Sequence, residues 1–382
     1  MNSRRVRLAD IAELTVGYVG NMAKQYTDKG VKFLRSLNIK PFHIVEDDMK
    51  YISKEFCASL RKSILHENDL IIVRTGLPGT CCVVPKEYDG CNCADVVLVK
   101  PNVDIVNPHY LAAYINMWGK KQVENNKVGA IQKHFNVKSA EEMLIDLPDI
   151  EYQNKIAKVL CDINDKILNN KKINDYLCSQ IQLLFSYLFN LSSIPKSWTK
   201  GVLTDIANIT MGQSPSGDSY NILGNGYPFY QGSTDFGAIF PTIRVYTNKP
   251  SRFASVFDTL LSVRAPVGSL NIAYENCCIG RGLASVHGKY NNNTFVRYLL
   301  KNNRWYFDNI NNSGTTFGSI TKNYLFDMPI VIPSSKLVAT FEQKANLMEQ
   351  QIYKNEQQTR ELQNLHNWLL PMLMNGQATI EN

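Results

Sequence analysis

The chain is written twice, and that constrains its fold more than any other feature. DLPDIEYQNKIAKVLCDINDKI, from Asp146 to Ile167, opens on Asp, a bulky apolar residue and Pro, then passes into a helical pattern. DMPIVIPSSKLVATFEQKANLM, from Asp327 to Met348, does the same. The repetition extends upstream. LADIAEL (Leu8 to Leu14) matches LTDIANI (Leu203 to Ile209), and HYLAAYI (His109 to Ile115) matches TFVRYLL (Thr294 to Leu300). NDLIIVRTG (Asn68 to Gly76) matches FDTLLSVRAP (Phe257 to Pro266), with Val73-Arg74 set against Val263-Arg264. The offset drifts from 195 at Leu8 and Leu203 to 181 at Asp146 and Asp327, as loops of unequal length require. This is duplication of a whole domain and its following helix, not a short-period solenoid.

Within each copy, turn-forming runs such as GQSPSGDSYN, GNGYPFYQGS and NNSGTTFGS alternate with β-branched and aromatic runs such as DLIIVRT, DVVLVK, FDTLLSVRA and MPIVI. The first kind reads as loop and the second as strand. One internal helix is expected around PHYLAAYINMWGKKQVEN. The fold class is therefore α/β, with two compact, long-looped domains.

After Pro148 the period changes. Ile156, Leu160, Ile163, Ile167, Asn170, Asn174, Leu177, Ile181, Leu184 and Leu188 follow alternating steps of four and three. In the second copy the same template gives Leu337, Phe341, Lys344, Met348, Gln351, Asn355, Gln358, Leu362, Leu365 and Leu369. A narrow seam at this spacing is that of a coiled coil. Both seams are apolar at the ends and polar in the middle. Paired antiparallel, in a pseudo-twofold arrangement, they bring Asn170, Asn174, Gln351 and Asn355 together, which fixes register at a cost in stability. The alternative is two separate surface helices, each lying on its own domain; a broader apolar stripe is expected for those. The expected divisions are a first domain over 1–148, a helix over 149–191, a second domain over 192–333, and a second helix with its tail over 334–382.

The chain has 382 residues and a net charge of +7, from 41 Lys and Arg against 34 Asp and Glu, which favours an anionic partner. Two related domains on a stiff spacer suit two spaced patches on a polyanion, since B-DNA presents one face every ~34–36 Å. Divergent loops imply different half-sites. Residue types that read base edges or phosphates collect in those loops. In the second copy they are Gln213, Ser214, Ser216, Tyr220, Gln231, Ser233, Arg252, Arg264, Arg281, Thr315 and Thr316; in the first, Arg74, Gln132, Lys133 and His134. Each has a plainer reading as a turn residue or a structural Arg. The nine cysteines lack a framework spacing and read as reduced thiols, there is no apolar signal core or bilayer-length run, and a cytoplasmic location is expected.

The doubled DLP/DMP helices, with MGQSPSGDSYN, FDTLLSVRAPVGS, CCIGRGLA and the terminal NWLLPMLMNG, resemble the specificity subunit of type I restriction-modification systems. The resemblance runs over essentially the whole chain. It implies two target recognition domains joined by an antiparallel coiled coil of two long helices. It further implies a bipartite double-stranded DNA target, two methylation subunits, and restriction subunits recruited through the complex. The chain itself is then non-catalytic and binds no cofactor. The first copy departs from the pattern, since VGYVGNMAKQYTDKG stands where GQSPS would be.

Three segments imitate enzyme motifs. NPHY (Asn107 to Tyr110) is similar to the element that positions a target adenine in DNA methyltransferases, but no glycine-rich cofactor loop accompanies it, and Pro108 reads as a helix start. GLASVHGKY (Gly282 to Tyr290) departs from a phosphate loop in length and in Tyr290. Cys81, Cys82, Cys91 and Cys93 have CC and CxC spacings that zinc ribbons do not use, so no metal site is expected. The competing functions are a methyltransferase using Asn107 and a protein scaffold with no DNA role.

Overall fold

The structure is a computed structural model describing residues 3–119, 135–190, 194–311 and 318–380. It divides into two compact units: Met1–Asn169 with Gln358–Asn382, and Asn170–Gln357. The long helices span Ile150–Leu188 and Ser335–Met374. Each contributes one half to one unit and one half to the other.

The first unit is built on a four-stranded antiparallel sheet in the order Ala12–Val16, Val96–Pro101, Leu70–Val73, Cys81–Val83. Strand periodicity sorts its side chains to two faces. Leu70, Ile72, Cys81, Val97 and Val99 pack with Tyr110, Leu111, Ile156 and Leu160 of the helices. Ile71, Val73, Cys82, Val96 and Leu98 face the opposite cluster with Leu34 and Leu65. Such two-sided burial explains why these strands read as unbroken apolar runs. A second sheet orders Asn92–Cys93, Val31–Leu34, Lys50–Ile52 and Tyr26–Thr27.

The second unit repeats the plan. Its sheet orders Ala207–Met211, Leu283–Gly288, Thr259–Ser262 and Leu270–Ile272. Leu261, Val263, Ala284 and Val286 face Phe185, Phe295 and Phe341, whereas Leu260, Ala273 and Leu283 face the other way with Tyr230 and Ile279. A five-stranded sheet completes it, with Tyr227–Tyr230 parallel to Cys277–Ile279, as Val31–Leu34 is to Asn92–Cys93 in the first unit.

The internal helix begins where Asn107 caps it, accepting from the His109 and Tyr110 amides at 2.9 and 3.1 Å; its α-helical part is Pro108–Tyr114. Asp149 accepts from the Tyr152 amide at 2.8 Å and starts the first long helix. Gly376, at φ 71°, stops the second. Only a residue tolerant of the left-handed region ends a helix this way without strain.

Inside each unit the helix halves run antiparallel. In the first, Tyr152 donates to the Ala378 carbonyl at 3.2 Å, and Asn164 meets His366 at 3.4 Å. In the second, the Phe185 and Phe341 rings lie 5.5 Å apart, and a polar layer follows. There Gln351 Nε2 donates to Asn355 Oδ1 at 2.8 Å, Asn355 Nδ2 to Asn174 Oδ1 at 2.9 Å, and Asn174 Nδ2 to the Ile352 carbonyl at 3.3 Å. Asn170 Nδ2 reaches the Asn355 carbonyl at 3.4 Å. Asn170, Asn174 and Asn355 are 1, 4 and 7% exposed.

The second seam is out of phase with its expected pattern. Ala345, Ile352, Thr359 and His366 are buried, one position beyond the expected Lys344, Gln351, Gln358 and Leu365. Phe341 and Asn355 belong to both phases, which makes the two hard to separate by spacing. The buried phase wins because this helix must also bury Val338, Ala345 and Ile352 against its own unit, beside Phe295 and Leu299. Gln351 is exposed and joins the layer only through its amide. On the first long helix Ile173, Tyr176, Leu183 and Tyr187 stay 45, 70, 70 and 83% exposed.

The amide layer predicts opposite outcomes for single and paired changes. Asn174→Ala strands the Asn355 amide and is expected to cost about 1–3 kcal/mol in urea unfolding. The double change Asn174→Leu with Asn355→Leu is expected to recover that loss while loosening helix register. A double variant less stable than Asn174→Ala contradicts the assignment.

Candidate nucleic-acid interface

In the second unit, backbone hydrogen bonds stitch three loops around one hairpin end. The Gln213 amide donates to the Ile279 carbonyl at 3.0 Å, the Gly280 amide to Tyr230 at 2.8 Å, and the Gly282 amide to Gln231 at 3.1 Å. The Ile279 amide donates to the Arg252 carbonyl at 2.9 Å, and Ser251 donates to the Gln213 carbonyl. The Arg281 amide reaches Ser214 Oγ at 3.4 Å. Gln213, Ser214, Gln231, Arg252 and Arg281 are thereby gathered on one surface. Glycine makes the approach possible. A Cβ on Gly212 would stand 2.2 Å from the Gly280 carbonyl oxygen, and one on Gly282 would stand 2.4 Å from that of Gln231.

A carboxylate missed in the sequence braces this cluster. Asp235, 5% exposed, accepts from the Gln231 amide at 2.7 Å and is ion-paired to Arg244. Its signal was the spacing of Asp235 four residues beyond Gln231 in a turn. Ser233 opens that same turn. Ser216 accepts the Ser219 amide at 3.0 Å through its carbonyl, and Tyr220 stacks on Phe229 with centroids 5.0 Å apart while donating to Pro215. Arg252, Arg264 and Arg281 are exposed, and no ion pair among the described residues engages them. Arg264 is bridged to Ser319. Gln132, Lys133, His134, Thr315 and Thr316 lie outside the described residues.

The first unit carries the same scaffold with different side chains. The Gly17 amide donates to Val96 at 2.9 Å, Tyr18 to Cys93 at 2.8 Å, and Ala94 to Leu34 at 3.0 Å. These bonds match Gly212 to Leu283, Gln213 to Ile279 and Gly280 to Tyr230. Tyr18 and Arg35 therefore stand where Gln213 and Gln231 stand, and sequence reasoning passed over both. FLR (Phe33 to Arg35) against FYQ (Phe229 to Gln231) was the available signal. Arg35 is tied to Asp48 at 2.9 Å.

Strand register also corrects one pairing. The Gly79 amide bonds Val73 as Gly268 bonds Ser262, and Val73 pairs with Val96 as Ser262 does with Leu283. Hence Arg74 is equivalent to Val263, and Thr75 to Arg264. Two adjacent Val-Arg pairs drew the alignment one residue out. Arg74 is spent internally, donating to Asp95 at 3.0 Å and to the Phe135 carbonyl at 3.1 Å.

The enzyme-like segments have structural roles. Asn107 is a helix cap whose Nδ2 donates to Asn154 at 2.8 Å. Leu283–Gly288 is a strand rather than a phosphate loop. Burial pushes the Cys82 thiol up to about 12, and those of Cys81 and Cys93 well above their ordinary value, the reverse of what thiolate ligation needs. Among the described residues no group of acidic, His and Cys side chains could hold a metal ion, and no helix is long and apolar enough to cross a membrane.

The chain is a duplicated domain, each copy carrying a loop cluster on a shared backbone scaffold and packing an antiparallel pair of helix halves. Residues 2–177 match the type I restriction modification DNA specificity domain. It is 28% identical over 309 residues to the putative type I restriction enzyme MjaX specificity subunit of Methanocaldococcus jannaschii, covering 75% of this chain and 72% of that one. The type I restriction enzyme EcoBI specificity subunit of Escherichia coli matches at 23% over 131 residues, 34% of this chain and 27% of that one. Among solved structures, the S subunit of a type I restriction-modification system from M. genitalium superposes with a TM-score of 0.64 at 12% identity, covering 97% of this chain and 96% of that one.

The glycine contacts make a direct prediction. Gly212→Ala drives a methyl group against backbone, so the loops of the second unit must part. Thermal unfolding should show a modest loss of stability, and binding through the second unit should fall at least tenfold. Unchanged binding refutes the close approach as a requirement.

Proposed function

We propose that the chain reads an asymmetric, bipartite duplex DNA sequence, one half-site per unit, on behalf of a type I restriction-modification complex. The observation that carries this reading is the twice-built hairpin cradle. Three of its backbone bonds recur in both units, whereas the side chains they carry differ: Tyr18, Arg35 and Asp95 in one, Gln213, Gln231, Arg252 and Arg281 in the other. A scaffold held constant beneath changed polar side chains is what two different sequence readers require. The reading makes the chain non-catalytic and without a cofactor of its own. Methyl transfer and cleavage belong to partner subunits, two for methylation and others for restriction. The exposed stripe of Ile173, Tyr176, Leu183 and Tyr187 supports helix docking by the methylation subunits. Capping by Asn107 weighs against the methyltransferase alternative.

Arg281→Gln is expected to relax preference at the second half-site by about 1–3 kcal/mol per affected base pair and leave the first unchanged. Mapping methylated sites in cells carrying the chain with its methylation subunits reads this out. Loss at both half-sites, or at neither, overturns the assignment.

The long helices are proposed to set the spacer. Removing one matched heptad from each shortens them by about 10 Å, close to three base pairs. Methylated sites should then keep both half-sites and lose about three spacer positions. Altered half-sites with an unaltered spacer refute it.

A further inference from the structure

A loop in the second unit holds the two most exposed large aliphatic side chains among the described residues, Ile222 and Leu223, 82 and 79% exposed. The display is built. Asn221 Oδ1 accepts from the Leu223 and Asn225 amides at 3.1 and 3.0 Å, and its Nδ2 donates to the Asn225 carbonyl at 2.8 Å. Gly226, at φ 93°, closes the loop against the Thr247 carbonyl, where a Cβ would collide. Scattered apolar side chains on a surface are ordinary, but an adjacent pair that a braced loop keeps in water marks a contact site.

The other copy of the domain shows that the fold does not require them. Tyr220 and Tyr227 both pair with Thr247, as Tyr26 and Val31 both pair with Ile52. Gly30 abuts the Ile52 carbonyl as Gly226 abuts that of Thr247. Between these landmarks the first unit has Asp28 and Lys29, both exposed, where the second has Ile222-Leu223-Gly224-Asn225. The longer, apolar loop belongs to one copy alone.

Position and charge select the partner, and this step rests on the DNA reading proposed above. Tyr220–Asn221 and Tyr227–Tyr230 both run antiparallel to Tyr246–Thr247, so Ile222 leaves its strand in the direction in which Gln231 leaves its own. Tyr220 donates to the Pro215 carbonyl, inside the loop that carries Gln213, Ser214 and Ser216. On the other side a Cβ on Gly226 would stand 2.9 Å from Asn248 Cα, and Ser251 donates to the Gln213 carbonyl. The step from Asn248 to Ser251 spans at most ~11 Å, so the root of the apolar loop lies close to the reading loop. Lys249, paired with exposed Asp218, and Arg252 flank that step with positive charge.

We propose that Ile222 and Leu223 form an apolar wedge that enters the duplex beside the second half-site and parts one base step. Aliphatic wedges of this kind enter from the minor groove, and Leu and Ile fill the space between the separated base pairs. Lys249 and Arg252 hold the neighbouring phosphates. The first unit, with Asp28 and Lys29 at the equivalent place, leaves its flank stacked, so the distortion falls on one side of the target.

The test uses the full chain assembled with its methylation subunits, on a duplex carrying the sequence that the assembly methylates. 2-Aminopurine, which brightens when it unstacks, is placed in turn at each step flanking the two half-sites. One step beside the second half-site should brighten at least twofold, and none beside the first. A mismatch at that step removes part of the unstacking cost and should tighten binding at least threefold. Ile222→Ser combined with Leu223→Ser should abolish both effects while the methylated sequence, thermal unfolding and co-purification with the methylation subunits stay unchanged. Brightening that survives the double change, or none in the parent chain, overturns the wedge and leaves the DNA reading standing, because the methylated sequence reports that reading separately. Loss of the methylation subunits from the double variant makes the loop a protein contact and overturns the wedge as well. Binding without regard to sequence refutes the DNA reading itself.

Discussion

The buried amide layer of Asn170, Asn174 and Asn355 is the constraint on which the helix pair depends. Apolar seams slide, because one heptad of Leu and Ile packs nearly as well as the next. An amide buried opposite an aliphatic side chain loses its partners, so a slipped register leaves several polar atoms unpaired. Aromatic packing of Phe185 and Phe189 against Phe295 and Phe341 then supplies the area. Affinity between the helices comes from the greasy ends and alignment from the polar centre. A protein whose helix length is to have meaning needs both.

The sheets divide labour in a related way. Their strands are apolar on both faces, so neither face is free to change without a packing cost. Variation is pushed to hairpin ends, where Gly17 and Gly212 let loops meet backbone to backbone. Bonds between backbone groups are indifferent to the side chains they carry. That is why Tyr18 and Gln213, or Arg35 and Gln231, exchange across the two copies without disturbing the hydrogen bonds beneath them.

Duplication and the helix pair were legible in the sequence because each rests on a local pattern, period or an aspartate before proline, whereas GNGYPFYQGS, expected as loop from its turn formers, holds the strand Tyr227–Tyr230. What was not legible rested on choices between equal patterns. Lys344 and Ala345 lie on alternative phases that share Phe341 and Asn355, and only the surrounding unit decides between them. Val73-Arg74 and Val263-Arg264 look alike as dipeptides, yet strand pairing sets them one residue apart. Arg35 was invisible as a counterpart of Gln231 because side-chain chemistry changed while the backbone did not. Asp235 was missed because burial, not identity, makes a polar residue informative.

That single-residue offset has an electrostatic consequence. In the first unit Arg74 and Thr75 both turn onto Asp95, at 3.0 and 3.2 Å, so the hairpin end is internally neutralised. In the second unit Arg264 takes the place of Thr75, and the hairpin end Gly280-Arg281-Gly282 replaces Ala94-Asp95. One copy spends its cation on its own fold, and the other presents two to solvent. Counterion release scales with the number of phosphates neutralised, so under the proposed DNA reading the second unit would supply more of the salt-dependent affinity and the first would rely more on shape and neutral donors. Under that reading, the two copies differ in how they hold an anionic partner as well as in what they read.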